Sequence, residues 1–318
     1  MKNHSQAGRV GGASFIVTLL AATFLMGSSF VVGKILLRNG FPPTVLVGWR
    51  FLVAALATLP LIPFDGGRMR DVLPGRPGLR AALVIASIGF LQTTAVMGLL
   101  FLAMRWISAS TAAILLFTNP IWVALLGKLF LREQLGRSRI VGLVLGLAGV
   151  VLAIGMKPES WSGTTALMGE LLGLGSALCW AAATIINKRA DLDVGAWALS
   201  FWQMLVGALA LLAIASLLGE RWPQTTTLSE WTYFIWLAIP ASTGSFGLWF
   251  VALRKGGATR TSSFLFLAPF FTVVLSFMFL GETLTPLQGA GGALIGLAIW
   301  LVNRESKARM PTVTAASN

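Results

Sequence analysis

The chain is poor in the residues from which many enzyme and metal sites are built. Its 318 residues include one cysteine, Cys179, and one histidine, His4. A single cysteine excludes an intramolecular disulfide, and without clusters of histidine and cysteine no metal site of that kind can form. A Ser/His or Cys/His nucleophilic arrangement within the membrane is missing as well. We therefore expect no metal, no cofactor and no enzyme activity.

Acidic residues are also scarce, with 11 Asp and Glu in the whole chain. None falls in the middle of an apolar stretch, and Glu170 and Glu282 lie near the ends of theirs. Antiport of cationic drugs against protons usually relies on a buried carboxylate for which drug and proton compete. The sequence therefore disfavours that mechanism.

What the chain has in abundance is apolar sequence. Hydrophobic residues make up 56% of it, and the mean hydropathy is +0.81. This composition is typical of a protein that lies in a lipid bilayer, where one helical crossing takes roughly 20 apolar residues. We predict ten crossings, at residues 14–35, 42–62, 81–103, 108–130, 140–155, 168–187, 195–218, 231–253, 261–280 and 287–302.

The net charge of +13 reports topology rather than a nucleic-acid partner. With the N-terminus inside, the predicted crossings leave five basic residues outside, and Arg50 lies within a segment. The other 18 of the 24 Lys and Arg fall on the inner side. This asymmetry follows the positive-inside rule. We expect a multi-pass protein of the plasma (inner) membrane with both termini cytoplasmic.

A long internal repeat organises the sequence. Residues 98–135 and 247–284 share fourteen identities in one gapless register, at a constant offset of 149. Each half contains five predicted crossings, and because five is odd the second copy inserts upside down relative to the first. The predicted fold is therefore all-α, with ten transmembrane helices in two inverted five-helix repeats, over residues 1–156 and over residues 157–318, which include a short cytoplasmic tail. Repeats of this kind place a binding site at their interface.

Two prolines occupy equivalent places in the repeat, Pro120 and Pro269, near the middle of the fourth and ninth crossings. Proline frees the carbonyl four residues earlier, here on Leu116 and Leu265, and such a carbonyl should face the protein interior. Both prolines are predicted helix breaks, serving either as packing kinks or as flexing points. Glycines one turn apart predict close helix packing: Gly142 and Gly146, followed by Gly149, in the fifth crossing, and Gly292 and Gly296 in the tenth.

Basic residues inside the apolar segments are candidates for a site. Arg50 lies about 12 Å into the second crossing, at 1.5 Å per residue, close to the middle of the bilayer. It is either a contact for an anionic solute, an interhelical tie, or a snorkelling side chain. Lys34 and Lys188 lie at the outer end of the first crossing and the inner end of the sixth, so they are related by the inversion. We interpret them either as a matched gate or anion contact, or, for Lys188, as an ordinary inner lysine.

These residues resemble a known pattern. Gly27-Ser28-Ser29-Phe30 followed by Lys34, Pro43 followed by Arg50, the two mid-helix prolines and Leu280-Gly281-Glu282 are similar to the EamA-type branch of the drug/metabolite transporter superfamily. The resemblance covers residues 14–302 and implies a central cavity lined mainly by helices 1, 3, 4, 6, 8 and 9. By position it maps that cavity onto Ser28, Gln92, Asn119, Trp180 and Trp249. The chain departs from the family at Met26, where a tryptophan is usual.

The resemblance implies a secondary transporter. We expect an exporter of small metabolites, amino acids or related organic solutes, that works by alternating access, with Arg50 attracting a carboxylate. The alternative is efflux of drugs or toxic amphiphiles by the same fold. The expected partners are a small organic solute and the lipid bilayer, and the protein is either a monomer or a homodimer.

Overall fold

The computed structural model describes residues 3–65, 78–132, 137–154, 164–190, 192, 194–252, 264–265 and 267–308. Within these ranges the chain is helical and has no strand. The predicted boundary between the repeats, at residues 156 and 157, and the last ten residues of the tail lie outside the described residues. The helices are α1 (Asn3–Arg38), α2 (Pro43–Thr58, continued by a 3-10 helix over Leu59–Asp65), α3 (Leu79–Gly89), α4 (Val96–Ala103), α5 (Ala109–Leu116), α6 (Asn119–Leu131), α7 (Arg137–Ile154), α8 (Thr164–Ala190), α9 (Ala196–Leu217), α10 (Leu228–Ala238), α11 (245–252), α12 (Leu267–Leu280) and α13 (Pro286–Ala308).

Seven stretches of the described chain are long and apolar enough to cross a bilayer, and each overlaps one predicted crossing. They are Ser14–Arg38, Pro43–Pro63, Leu79–Ala103, Ala109–Leu131, Thr165–Ala190, Ala196–Leu217 and Leu228–Ala252. The other three predicted crossings overlap α7, α12 and α13, and α7 and α12 carry shorter apolar runs, Ile140–Leu152 and Leu267–Leu280. The protein is therefore an all-helical, multi-pass membrane protein. The count of ten crossings stays a prediction.

The helices pair in a pattern that repeats between the halves. α6 of the first half packs against α8 of the second, and α12, which corresponds to α6, packs against α1, which corresponds to α8. The two most extensive contacts join helices to their own counterparts: α7 packs against α13, and α2 against α9. The two halves therefore interlock, because every one of these contacts joins one half to the other.

Small residues permit the closest of these approaches, as the glycine spacing predicted. A Cβ added at Gly149 of α7 would lie 2.9 Å from the backbone oxygen of Gly291 in α13. One added at Gly27 of α1 would lie 2.6 Å from the backbone oxygen of Ala268 in α12. At both places the helix backbones are too close for any side chain, so glycine is required there by packing.

Two π-helical segments interrupt the longer helices. One spans Phe90–Ala95 and joins α3 to α4, and the other spans Ile239–Gly244 and joins α10 to α11. Their first and last residues are separated by 149 positions, the offset of the sequence repeat. π-Helical turns are rare and occur often at functional sites. Both halves therefore depart from α-helix at equivalent positions, in the third and the eighth crossing.

Both mid-membrane prolines lie in the first turn of a helix, and a turn precedes each of these helix starts. α5 ends at Leu116, a turn follows, and α6 starts at Asn119 with Pro120 in its first turn. Pro269 likewise lies in the first turn of α12, after a turn at 264–265. Proline is tolerated in a first turn because its missing N–H would have no helical partner there. The prediction of a free carbonyl on Leu265 is wrong, because the amide of Ala268 donates to it at 3.2 Å across this turn.

Candidate functional site

A cavity of about 140 Å³ lies between the two halves. The first four predicted crossings and the sixth, eighth and ninth contribute residues to its lining. Among the described residues, none of α7 or α13 lines it. The second crossing therefore adds residues to the helices that the family resemblance implied. The lining residues are Met26, Ser29, Phe30, Arg50, Phe51, Gln92, Met97, Leu100, Phe101, Leu116, Phe117, Trp180, Ala241, Ser245, Phe246, Trp249 and Leu265.

Arg50 is the charged residue of this lining. It extends from α2, and only 3% of it is exposed. Its Nε donates a hydrogen bond to Oγ of Ser242 at 2.8 Å, and its guanidinium carbon lies 4.8 Å from the ring centre of Phe51 and 5.5 Å from that of Phe101. Its Nη1 has no hydrogen-bond partner. The guanidinium is thus held by one hydroxyl and two aromatic faces, with hydrogen-bonding capacity left over.

The π-helical segment Ile239–Gly244 positions the hydroxyl that holds Arg50. Ser242 is fully buried, and its Oγ donates to the carbonyl oxygen of Leu237, five residues earlier, at 2.8 Å. Since its proton is used in that bond, the oxygen presents a lone pair to Arg50. The local departure from α-helix therefore sets the direction of the guanidinium.

The residue after Ser242 is Thr243, and its counterpart in the other π-helical segment is Thr94. The two threonines make equivalent contacts. Oγ1 of Thr243 donates to the carbonyl oxygen of Ala54 in α2 at 2.9 Å, and Oγ1 of Thr94 donates to that of Gly207 in α9 at 3.2 Å. Thr94 and Thr243 are equivalent in the repeat. These bonds fix each π-helical segment to the helix that packs across from it.

The rest of the lining is neutral. Ser29 donates to the carbonyl oxygen of Met26, and Ser245 to those of Ala241 and Ser242, so both hydroxyl protons are used locally. Gln92 is half-buried and has no hydrogen-bond partner among the described residues. Its amide can therefore donate to a solute and accept from one.

Aromatic rings form much of the apolar wall. Trp180 packs edge-on against Phe117, with ring centres 6.1 Å apart, and Trp249 lies on α11. Leu116 and Leu265, which precede the two proline-containing helix starts, also line the cavity. Residues next to the proline-containing helix starts of both halves therefore contribute to one wall of the cavity.

Four of the six predicted binding residues meet in the cavity: Arg50, Gln92, Trp180 and Trp249. Ser28 does not line it, because its hydroxyl lies between α1 and α10, where it accepts from Nε1 of Trp236 at 3.0 Å. Asn119 is absent from the lining too, and its Nδ2 donates to the carbonyl oxygen of Ala177 in α8 at 3.4 Å.

The two predicted lysines have different surroundings. Lys34 is 8% exposed, and its Nζ donates to the carbonyl oxygens of Met104 and, at 2.8 Å, of Ile107. Met104 follows the last residue of α4, so the ammonium neutralises the negative end of that helix. Lys188 is exposed near the C-terminal end of α8. The two lysines therefore differ in burial, and their role as a matched gate or anion contact stays a prediction.

A second cation of α1 continues this arrangement one turn later. Nη2 of Arg38 forms a salt bridge with Oε1 of Glu282 at 3.0 Å, and the other carboxylate oxygen accepts from the amide of Ala109 at 2.9 Å. Ala109 is the first residue of α5, so this carboxylate lies at the positive end of a helix. We call Lys34, Arg38 and Glu282 the α1 clamp, because they join the end of α1 to the connection between α4 and α5.

Three residues that hold Arg50 were absent from the sequence-based prediction: Ser242, Phe51 and Phe101. A signal for Ser242 existed, because it corresponds to Thr93, 149 positions earlier, which is a polar residue inside the third predicted crossing. No comparable signal marked the two phenylalanines, since the chain has 20 of them. Their role depends on the tertiary position of Arg50.

Comparison with known proteins gives a consistent result. The sequence profile of the EamA-like transporter family matches twice, over residues 13–155 and 167–304. An uncharacterized transporter of Synechocystis sp., sll0355, is 27% identical, covering 92% of this chain and 91% of its own. The WAT1-related protein At3g02690, chloroplastic, of Arabidopsis thaliana is 28% identical, over 90% and 68% respectively.

Two further comparisons agree. An uncharacterized transporter of Bacillus subtilis, YvbV, is 26% identical over 83% of this chain and 89% of its own. A solved crystal structure with 18% sequence identity superposes with a TM-score of 0.60, covering 90% of this chain and 98% of the other. At that identity the superposition bears on the fold alone.

Proposed function

We propose that this chain, which belongs to the EamA-like transporter family, is a secondary transporter that exports small organic solutes by alternating access. Amino acids and related metabolites are the solutes in question, and the plasma membrane is its location. The observation that carries the proposal is the cavity lined by both halves, with one buried cation, neutral polar groups and aromatic walls. Solute sites of transporters commonly lie at such a repeat interface.

Ten crossings in two inverted five-helix repeats are the architecture that this function needs. The two matches of the family profile, the π-helical segments at the repeat offset and the reciprocal helix pairs support it. The distribution of basic residues supports cytoplasmic termini. With that orientation the α1 clamp lies at the outer end of the bundle.

The clamp gives alternating access a physical basis. In this conformation it joins α1, α4, α5 and the end of α12 at one end of the cavity. Asn39 and Thr44 add contacts at the same end, to Glu230 and Glu220. Release of a solute to the outside then requires the contacts of the clamp to break, while the helix starts at Pro120 and Pro269 supply flexing points.

Efflux of drugs or toxic amphiphiles remains the second candidate function. The largely apolar and aromatic lining favours it, since such walls accept many lipophilic molecules. Resistance profiling separates the two functions. Broad protection of overproducing cells against lipophilic cations supports the second, and protection limited to a few metabolites supports the first.

The decisive experiment identifies the solute. Medium from cells that overproduce the protein is compared, by untargeted metabolite analysis, with medium from cells that lack it. The solute found is then tested for uptake into proteoliposomes with and without a proton gradient. Enrichment outside overproducing cells supports export, and equal media together with no flux in proteoliposomes would contradict it.

A pair of variants ties that flux to the cavity. Ser29→Phe adds a ring to the lining of the cavity, whereas Leu217→Phe changes a residue of α9 that is 88% exposed. We expect the first to abolish flux and the second to leave it unchanged, at equal yield of monodisperse protein.

A further inference from the structure

We propose that the solute of this cavity is an organic monocarboxylate, an anion with an apolar body, rather than a zwitterion or a cation. This inference rests on the proposed transport function and narrows its solutes: among amino acids and related metabolites, it selects the monocarboxylates that lack an ammonium group. It follows from the charge of the lining, from the free hydrogen-bonding capacity of Arg50, and from the groups that a positively charged solute would meet.

The guanidinium of Arg50 has no counterion in the cavity. None of the described lining residues is acidic, and its hydrogen-bond partner, Ser242, is neutral. Removing an unpaired charge from water is costly, and proteins normally compensate a buried charge with an opposite one. A solute that carries one negative charge supplies that compensation each time it binds.

The geometry suits a carboxylate. Nε is occupied by Ser242, and Nη1, which has no partner, remains to donate. A guanidinium binds a planar carboxylate through parallel N–H donors, with shorter and stronger hydrogen bonds than neutral pairs make. The rings of Phe51 and Phe101 cover the cation and restrict its movement. Arg50 is therefore preorganised to receive one carboxylate.

An ammonium group finds no equivalent partner. An ammonium group is best held by a carboxylate, and among the described residues the side chains of the lining offer instead the amide of Gln92, two serine hydroxyls and aromatic faces. The nearby positive charge of Arg50 opposes an ammonium group further. Lys34, which is also buried, donates to backbone carbonyls and lies outside the lining, so it does not alter the charge of the cavity.

Three probes with the same isobutyl body isolate the effect of charge: 4-methylpentanoate as the anion, L-leucine as the zwitterion and 3-methylbutylamine as the cation. Their dissociation constants are measured by calorimetry on the full chain in lipid nanodiscs. We expect the anion to bind best. In Arg50→Gln its affinity should fall by about 10- to 100-fold, the loss of a charge-assisted hydrogen bond. The affinity for leucine should change less, because leucine loses the same contact to its carboxylate but also the repulsion between its ammonium group and Arg50.

Two further variants separate charge from folding. Arg50→Lys keeps the charge and loses the fork of donors, so we expect the preference for the anion to persist at lower affinity. Arg105→Gln removes one positive charge from an exposed residue and should leave all three affinities unchanged. A general loss of structure lowers every affinity together, so the ratio between anion and zwitterion is the quantity that tests the proposal.

The proposal is overturned if leucine or the amine binds best, if no anion binding is detected, or if the ratio is the same in Arg50→Gln as in the unaltered protein. None of these results bears on transport itself, which the comparison of media and the Ser29→Phe variant test separately. Transport of a zwitterion with an unchanged ratio would leave the proposed function intact and remove only the assignment of charge.

Discussion

Glu282→Gln should open the cavity toward the outside. Glu282 is the acidic residue of the α1 clamp, and it contacts both Arg38 and the amide of Ala109. The substitution removes the negative charge and keeps the size of the side chain. Since Glu282 lies between α12 and the start of α5, we expect its loss to weaken the closed end without altering the helices themselves.

The expected magnitude follows from exposure and geometry. The side chain of Arg38 is 49% exposed, so its salt bridge contributes about 0.2–1 kcal/mol after screening by solvent. The carboxylate at the first turn of α5 adds about 0.3–1 kcal/mol through the helix dipole, and its bond to Ala109 becomes a weaker, neutral one. A total of about 1–2 kcal/mol corresponds to a 5- to 30-fold shift toward the open conformation.

Thiol accessibility measures this shift. Cys179→Ser removes the only cysteine, and Ser29→Cys places a new one in the lining of the cavity. A membrane-impermeant maleimide added to intact cells then reaches the thiol through the outer end alone. The rate of labelling should rise by the same 5- to 30-fold in Glu282→Gln, and by less in Arg38→Gln, which leaves the bond to Ala109 in place.

Glu230→Gln is the matched control. It removes the same charge at the same end of the bundle, but it affects the capping box of α10 and a contact to Asn39 instead of the clamp. Unchanged labelling in Glu282→Gln, or an equal increase in Glu230→Gln, would refute the reasoning that the clamp closes the cavity.

Three further sets of substitutions test separate parts of the structure. Pro120→Ala and Pro269→Ala should each lower proteoliposome flux at normal expression, because a continuous helix resists flexing, and unchanged flux would exclude that role. Gly149→Val should destabilise the protein by about 1–3 kcal/mol in thermal unfolding, whereas Gly296→Val, which meets open space, should not. Ser242→Ala should cost about 1–3 kcal/mol by leaving Nε of Arg50 without its partner, and an unchanged unfolding temperature would contradict the importance of that bond.

The helices could be predicted from sequence because their lengths are set by the bilayer. Each of the seven long apolar stretches overlaps a predicted crossing, since roughly 20 apolar residues and flanking polar residues define a crossing locally. The π-helical segments could not be predicted this way. In one of these segments, Ser242 bonds to Leu237 and to Arg50. Arg50 is 192 residues away in the sequence, so no local pattern indicates that contact.

The candidate site, too, could be predicted from sequence only in part. Arg50 was predicted because a charge in an apolar segment is conspicuous, whatever its contacts. Ser28 and Asn119 are polar residues of the same kind in sequence, yet both form interhelical hydrogen bonds outside the cavity. Polar type and depth are similar for a site residue and for a packing residue, so only the direction of the side chain distinguishes them.

The lysines show how far a repeat can guide prediction. Lys34 and Lys188 correspond in the two halves, but Lys34 neutralises the end of α4 whereas Lys188 is exposed. The repeat preserves backbone positions, while each side chain responds to its own neighbours. Equivalence between the halves therefore predicts architecture better than it predicts chemistry.

Around the cavity, backbone contacts follow the repeat, whereas a charged side chain does not. The bonds from Thr94 to Gly207 and from Thr243 to Ala54 are equivalent in the two halves, so the scaffold around the cavity is nearly symmetric. Arg50 aligns with Gln203, however, since Trp49-Arg50 and Trp202-Gln203 occupy equivalent places in α2 and α9, so this charge belongs to one half only. Under the proposed alternating access, a symmetric scaffold would let the two halves exchange roles between inward and outward openings. A single charge would keep the proposed anion bound against the same half in both openings, so that the binding contact persists while access changes sides.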